Sequence, residues 1–144
     1  MIASTTIWSI AREESLKLVL SYDRPMTHSS SRQPLPEVTV KELAQTLADP
    51  PEALQLIDVR EPWELETASL PDFINLPLSE FAEWSEAIQT QLDFEKQTFV
   101  LCHHGMRSAQ MCQWLVNQGF TDVKNIAGGI DAYSIVVDSS VPRY

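Results

Sequence analysis

Four short runs that include apolar residues alternate with segments of helical character, and this alternation limits the fold more strongly than any other feature of the sequence. They cover residues 54–59, 74–76, 98–101 and 123–126, of which the first and third are the apolar runs and the other two mix apolar with polar residues. Each is too short for a helix and is bounded by residues that break regular structure, which predicts a buried strand. Strands that alternate with helices in this way form an α/β fold, a parallel sheet with helices on both faces.

Helix signals stand between the apolar runs. Thr39 and Glu42 form a capping box, which predicts that a helix begins at this point. Ser79 is predicted to cap a second helix. A third helix is predicted over residues 109–118, and Gly119 ends it because glycine readily adopts the left-handed conformation that often follows a helix. Helices therefore separate the predicted strands, as parallel strands require.

Residues 1–37 differ in character from the rest of the chain. Residues 1–20 show only ragged apolar periodicity, and the polar stretch over residues 23–36 contains the Pro and Ser residues typical of a linker. We therefore expect an N-terminal extension and linker over residues 1–37, either partly disordered or an over-extended reading frame whose native start is Met26. A single domain is expected over residues 38–144.

The charge of the chain limits its partners. Its 20 acidic and 10 basic residues give a formal net charge of -10. This balance argues against nucleic acid and against an anionic membrane surface as partners, because both require a basic face. No apolar run reaches the roughly 18–20 residues of a membrane span. The N-terminus lacks the basic region of a secretory signal, and two cysteines do not form a disulfide framework, so we expect a cytoplasmic protein with free thiols.

The loop that follows the third apolar run carries the chemistry. It places Cys102 between a strand and a helix, where free backbone N–H groups and the helix dipole favour negative charge. Arg107 adds a full positive charge, and Gly105 lets the backbone turn tightly. Ligands of parallel sheets bind beyond the carboxyl ends of the strands, which is where this loop falls. The loop therefore predicts an activated thiolate and an anion site, without specifying the anion.

The seven residues over 102–108, with the sequence CHHGMRS, resemble the active loop of the rhodanese-like domains. Three flanking stretches match the family in the same order along the chain, at residues 56–64, 74–78 and 119–130. The similarity covers about residues 38–134, which is nearly all of the organised chain. Four ordered motifs at family spacing are specific, whereas an isolated Cys and Arg at this spacing would be weak evidence.

The resemblance implies a rhodanese-like fold of about five parallel strands and a ping-pong reaction with a covalent intermediate. A small anionic sulfur donor such as thiosulfate would load Cys102 as a persulfide and release sulfite. Cyanide in the test tube, or a thiol or protein acceptor in the cell, would then take the sulfur. Asp58 and Arg60 are expected to support the loop from beneath as an ion-pair network. The residues expected to contact the substrate are His103, His104, Gly105, Met106, Arg107 and Ser108.

Two alternatives to turnover of a small sulfur donor remain open at this point. Phosphatases and arsenate reductases of the same superfamily use a loop one residue longer than the six residues from Cys102 to Arg107, so the loop length favours sulfur. A domain that carries persulfide sulfur to one partner, or that senses redox state while bound to a partner, would have the same loop. His103 stands where many family members carry arginine, so the charge at this position depends on pH.

The remaining reactive residues have simpler interpretations. Cys112 lies among apolar residues in a predicted helix, so we expect a core residue rather than a second thiol that resolves Cys102. His103 and His104 are adjacent on a tight loop, and this spacing does not give tetrahedral metal coordination with the cysteines. We therefore expect neither a metal nor a cofactor. Each histidine could contact the substrate or be only a polar side chain of the loop.

Overall fold

The computed structural model describes residues 34–144, so the predicted extension and the predicted start at Met26 lie outside it, apart from residues 34–37. In the described part the strands are β1 (Glu37–Val38), β2 (Gln55–Asp58), β3 (Ile74–Asn75), β4 (Thr98–Leu101) and β5 (Val123–Ile126). The α-helices are α1 (Val40–Ala48), α2 (Pro62–Thr67), α3 (Phe81–Trp84), α4 (Ile88–Gln91), α5 (Met106–Asn117) and α6 (Gly129–Val136). None of these helices combines the length and the apolar character needed to cross a bilayer.

The five strands form one parallel sheet in the order β1-β5-β4-β2-β3. Strand β4 is central, and its Val100 pairs with Ile57 of β2 on one side and with Asn125 of β5 on the other. The predicted α/β fold with a parallel sheet is confirmed. The sequence did not locate β1, because a strand of two residues shows no alternation. Since β4 is central, the loop after it leaves the sheet in the middle of the carboxyl edge.

Two apolar clusters cover the two faces of the sheet. Alternate residues of a strand face opposite sides, and in β4 Phe99 belongs to one cluster and Val100 to the other. The first face is covered by α5, whose Leu115 is fully buried against the sheet side that carries Val100. The opposite face is covered by α1 and α6 through Leu43 and Ile130. The helices thus lie on both faces, as predicted.

The helix signals had different outcomes. The capping box is confirmed, because Thr39 Oγ1 accepts the N–H of Glu42 at 3.1 Å and Glu42 Oε2 accepts the N–H of Thr39 at 2.9 Å. The prediction that Ser79 caps a helix is wrong. Ser79 lies inside a 3-10 turn that follows Pro77, and its hydroxyl donates to the carboxylate of Glu61 at 2.6 Å. Because the hydroxyl of Ser79 donates to a carboxylate distant in sequence, it does not cap the helix that follows.

Candidate active site

The Cys102 sulfur lies directly after the central strand and is held by donors of its own loop. Cys102 has no exposed surface. Its Sγ accepts the N–H of Gly105 at 3.0 Å, and the hydroxyl oxygen of Ser108 lies 3.1 Å away. Gly105 has a φ of +98°, in the region that favours glycine, and a Cβ there would lie 3.1 Å from the backbone nitrogen of Gly128. The turn therefore requires glycine at this position.

Asn125 connects the loop to the sheet. Its Nδ2 donates to the Gly105 carbonyl at 3.0 Å, and its Oδ1 lies 2.5 Å from the Ser108 hydroxyl oxygen. Both Ser108 and Asn125 are buried. Asn125 was not predicted as a site residue, and the sequence did not single it out, because its strand β5 also contains the polar Lys124. Buried polar groups of this kind are retained where they make hydrogen bonds.

The start of helix α6 fixes the direction of the loop backbone. The N–H of Ile130 donates to the Cys102 carbonyl at 2.9 Å, and the N–H of Asp131 donates to the His103 carbonyl at 3.1 Å. Gly129 has a φ of +64°, and a Cβ on it would collide with both of these carbonyl groups. The carbonyl oxygens therefore point towards α6, which leaves the opposite side of the loop to its N–H groups.

Arg107 pairs with a buried carboxylate. Its two terminal nitrogens donate to the two oxygens of Glu64, each at 2.8 Å. The Glu64 carboxylate also accepts the Tyr144 hydroxyl at 2.9 Å and the N–H of Glu61 at 2.8 Å. The hydrogen bond from Arg107 is the largest of the effects that lower the pKa of Glu64 to about 2. Glu64 is therefore ionised near neutral pH, and it compensates the charge of Arg107.

Asp58 and Arg60 form a second ion pair beneath the first. Both are buried, and Arg60 contacts the Asp58 carboxylate through Nη2 at 2.7 Å and through Nε at 3.0 Å. Arg60 Nη1 also donates to the Tyr144 hydroxyl at 2.9 Å. Because that hydroxyl donates in turn to Glu64, one chain of hydrogen bonds joins this pair to Arg107 and the loop. Neither Glu64 nor Tyr144 was predicted as a site residue.

The two histidines stack at the edge of the loop. The His103 ring lies parallel to the Tyr144 ring at 4.0 Å and stacks on the His104 ring at 3.9 Å. Burial, followed by the charge of His104, lowers the pKa of His103, so His103 is neutral near pH 7. His104 is exposed, and its Nδ1 lies 3.8 Å from Asp131 Oδ2. Met106, the next side chain after Gly105, is 76% exposed.

Comparison with known proteins identifies the family. The family model described as Rhodanese-like domain matches residues 39–135. This chain belongs to the rhodanese-like domain family. An Arabidopsis thaliana relative, Rhodanese-like/PpiC domain-containing protein 12, chloroplastic, is 50% identical over 117 residues, which cover 80% of this chain and 39% of the relative. The present chain thus aligns with well under half of that protein.

Other proteins that are similar to this chain include a named enzyme and a protein of known crystal structure. Thiosulfate sulfurtransferase GlpE of Vibrio cholerae is 31% identical over 90 residues, which cover 62% of this chain and 80% of the relative. The crystal structure of a rhodanese-related protein from Thermoplasma volcanium superposes with a TM-score of 0.58 at 29% identity, covering 74% of this chain and 95% of that one. The relatives of this rhodanese-like domain therefore include sulfurtransferases.

The arrangement in this rhodanese-like domain stabilises negative charge at one sulfur atom. An amide N–H and a hydroxyl lie within about 3 Å of Cys102 Sγ, and such donors favour the thiolate and any anion formed on it. The positive charge of Arg107 is paired with Glu64, so the groups that contact the sulfur directly are the amide and hydroxyl dipoles. The site can therefore hold a sulfur nucleophile and a small, slender anionic substrate.

Proposed function

We propose that this protein is a sulfurtransferase that moves sulfane sulfur from thiosulfate or a similar donor to a thiophilic acceptor. The carrier is a persulfide on Cys102. The observation that carries the proposal is the environment of the Cys102 sulfur, which accepts the N–H of Gly105 and lies beside the hydroxyl of Ser108. The family, and the name of the GlpE relative, support the same reaction class.

The reaction divides into two displacement steps. In the first, the Cys102 thiolate attacks the outer sulfur of thiosulfate. The sulfur–sulfur bond of thiosulfate breaks, its electron pair leaves with sulfite, and a persulfide anion forms on Cys102. In the second, cyanide or a thiol attacks the outer sulfur of this persulfide, and the Cys102 thiolate leaves with the electron pair. Neither step needs an external oxidant or reductant, because the electron pair of each broken bond leaves with the displaced group.

The loop supplies the same stabilisation in both steps. The N–H of Gly105 is held in place because α6 fixes the loop carbonyls and Asn125 Nδ2 fixes the carbonyl of Gly105 itself. Donors that are held before the reaction stabilise developing charge without a reorganisation cost. Because Cys102 has no exposed surface, the terminal sulfur of a slender donor is favoured over a bulky electrophile. Preorganisation and access thus favour attack on a terminal sulfur atom.

Intact-protein mass spectrometry after incubation with thiosulfate tests this function. Wild type should gain about one sulfur atom, roughly 32 Da, and cyanide or dithiothreitol should remove it. Cys102→Ser should gain nothing, whereas the matched variant Cys112→Ser should gain the same mass as wild type. Absence of the gain in wild type with any sulfane donor would contradict the proposal, and phosphatase and arsenate reductase assays would follow.

The apolar surroundings of the loop favour a second candidate, a carrier dedicated to one protein partner. Met106 is 76% exposed, and Trp63, whose ring meets that of Tyr144 edge to face, is 60% exposed. Exposed large apolar side chains beside a reactive site are typical of protein contacts. A persulfide that forms on Cys102 but turns over slowly with cyanide would favour this carrier. Rapid turnover with cyanide would favour the enzyme.

A further inference from the structure

The positive charge of the loop is already compensated. Glu64 accepts both terminal nitrogens of Arg107 at 2.8 Å and is itself buried, whereas Arg107 is partly exposed. Asp58 compensates Arg60 beneath them in the same manner. A carboxylate held by a guanidinium and by further donors stays ionised. An anion that enters the loop therefore meets a neutral ion pair rather than a free guanidinium.

Among residues 34–144, the other basic side chains at the edge of the loop lie beside a carboxylate or are neutral. Arg143 Nε donates to Asp131 Oδ1 at 2.9 Å, and His104 Nδ1 lies 3.8 Å from the other oxygen of the same carboxylate. His103 is neutral near pH 7, since burial lowers its pKa. Arg143 and His104 thus share the single carboxylate of Asp131, with Arg143 the closer of the two.

The loop is thus suited to one negative charge but not to two. The Gly105 N–H and the Ser108 hydroxyl can support charge at the sulfur that reacts. A second charge on the donor would lie near the Arg107–Glu64 pair, whose field is weak because the two charges are close together. The formal charge of -10 on the whole chain opposes the approach of a dianion further.

We propose that the site prefers sulfane donors with a single negative charge, namely thiosulfonates and persulfides, over the dianion thiosulfate. The preference rests on the proposed transfer of sulfur through Cys102, and it names the donor class for that reaction. Glu64 is then a specificity-determining residue that acts through Arg107. Thiosulfate remains a substrate, but a poor one for this chain.

Two donors isolate the effect of charge. With methanethiosulfonate, the Cys102 thiolate attacks the terminal sulfur, the sulfur–sulfur bond breaks, and methanesulfinate leaves with the electron pair. With thiosulfate, the same bond type breaks and sulfite leaves. Both reactions give the same persulfide, and the donors differ by one negative charge. In a ping-pong reaction the kcat/KM of the donor reports the loading step alone, so the ratio of the two values measures selectivity.

The decisive variant is Glu64→Gln, compared with Glu66→Gln. Both remove one negative charge from helix α2, but only the first releases the charge of Arg107, because Glu66 is exposed and lies away from that pair. A glutamine can still accept the Tyr144 hydroxyl at position 64. We expect Glu64→Gln to raise the ratio of thiosulfate to methanethiosulfonate kcat/KM about tenfold, and Glu66→Gln to change it by less than about twofold.

The outcomes separate this inference from the proposed function. Persulfide formation on Cys102 with both donors, and an unchanged or lower ratio in a folded Glu64→Gln protein, would overturn the donor preference only. Absence of a persulfide with either donor would overturn the sulfurtransferase itself. A higher ratio in Glu64→Gln but not in Glu66→Gln would establish that the pairing of Arg107 sets the preference.

A measurement on wild type covers the case in which Glu64→Gln does not fold. Salt screens the repulsion between an acidic protein and an anion over about 10 Å at 0.1 M ionic strength. We therefore expect the kcat/KM of thiosulfate to rise with added salt, with a slope about twice that of methanethiosulfonate, because the dianion carries twice the charge. A fall in the thiosulfate value with salt would show an attractive site and would overturn the preference.

Discussion

The two cysteines of this protein are equally buried but lie in opposite chemical environments. Cys102 and Cys112 both have no exposed surface. The Cys102 sulfur accepts an amide N–H and lies beside a hydroxyl. Cys112 lies on α5 in an apolar cluster with Met111 and Leu115, and its burial raises its pKa to about 12. The two sulfurs therefore have the same burial but different donors around them, and we expect this difference to set their reactivity.

The difference follows from the position of each cysteine in the chain. Inside a helix each N–H donates to a carbonyl four residues earlier, and the backbone N–H of Cys112 itself offsets only part of the effect of burial on the pKa of its thiol. Between β4 and α5 the backbone turns, and the N–H of Gly105 is free to reach the Cys102 sulfur. The turn between a strand and a helix thus leaves a backbone N–H free to donate to a side chain, whereas in a helix interior the N–H groups donate to backbone carbonyls. Four experiments test this contrast.

The largest expected effect is the loss of activity in Cys102→Ser. A serine hydroxyl is not ionised near neutral pH and cannot carry a persulfide, so thiocyanate formation from a sulfane donor and cyanide should fall at least about thousandfold. Cys112→Ser should retain activity within about twofold of wild type. Comparable losses in both variants would remove the distinction between the two sulfurs, provided that both proteins are folded by circular dichroism.

Alkylation should distinguish the two cysteines by about a hundredfold. At pH 8 almost all of Cys112 is protonated, because its pKa lies near 12, and a thiol is a poor nucleophile. Iodoacetamide should therefore label Cys102 at least about a hundred times faster than Cys112 in the folded protein. Peptide mass spectrometry measures both rates, and labelling in denaturant gives the reference in which both react alike. Equal rates in the folded protein would contradict the contrast.

Removal of the Ser108 hydroxyl should reduce the rate of sulfur loading about tenfold. A hydrogen bond to a charged group contributes about 1.5–3 kcal/mol, and Ser108→Ala removes the hydroxyl beside the Cys102 sulfur. The matched control is Ser134→Ala. Ser134 is also buried, but it lies on α6 and its hydroxyl donates to the Val141 carbonyl rather than to the Cys102 sulfur. Single-turnover loading with thiosulfate should be slow in the first variant and unchanged in the second. Equal rates would remove Ser108 from the site.

The smallest effect concerns the stability of the protein in alkali. Folding raises the pKa of Cys112 from 9.0 to about 12, so the folded state binds its proton more tightly than the unfolded state. The stability from this group is complete below pH 9 and is lost as pH rises towards 12. Between pH 8 and pH 10.5 wild type should lose about 1–2 kcal/mol more unfolding free energy than Cys112→Ser. Denaturant titrations at both pH values measure this difference, and parallel losses would contradict the shifted pKa.

The sequence predicted local features better than pairings between distant residues. Four of the five strands were located from runs of three to six residues that lie between residues such as Pro51 and Pro77, which break regular structure. Strand β1 was missed, since Glu37 and Val38 become a strand only by pairing with β5. Ser79 satisfied the local rule for a cap, but the Glu61 carboxylate accepts its hydroxyl in the folded chain. Local rules cannot anticipate which distant partner folding supplies.

The same distinction holds for the candidate site. The position of Cys102 between strand and helix could be predicted, because it depends on neighbouring residues only. The pairing of Arg107 with Glu64 could not, because the two are 43 positions apart and spacing does not show which carboxylate turns towards the guanidinium. Asn125 was not singled out either, because Lys124 beside it is also polar and only the folded chain shows that Asn125 is the buried one of the two. The charge that a substrate meets is therefore a property of the folded chain.

The hydroxyl of Ser108 has one proton and two neighbours that can accept it. Asn125 Oδ1 can only accept, because the amide is oriented by its donation to the Gly105 carbonyl. When Cys102 is a thiol, the hydroxyl proton points to Asn125. When Cys102 is a thiolate, the proton rotates to the sulfur, and the Asn125 oxygen loses its bond. The orientation of a single O–H group thus links the sulfur of Cys102 to a side chain of strand β5.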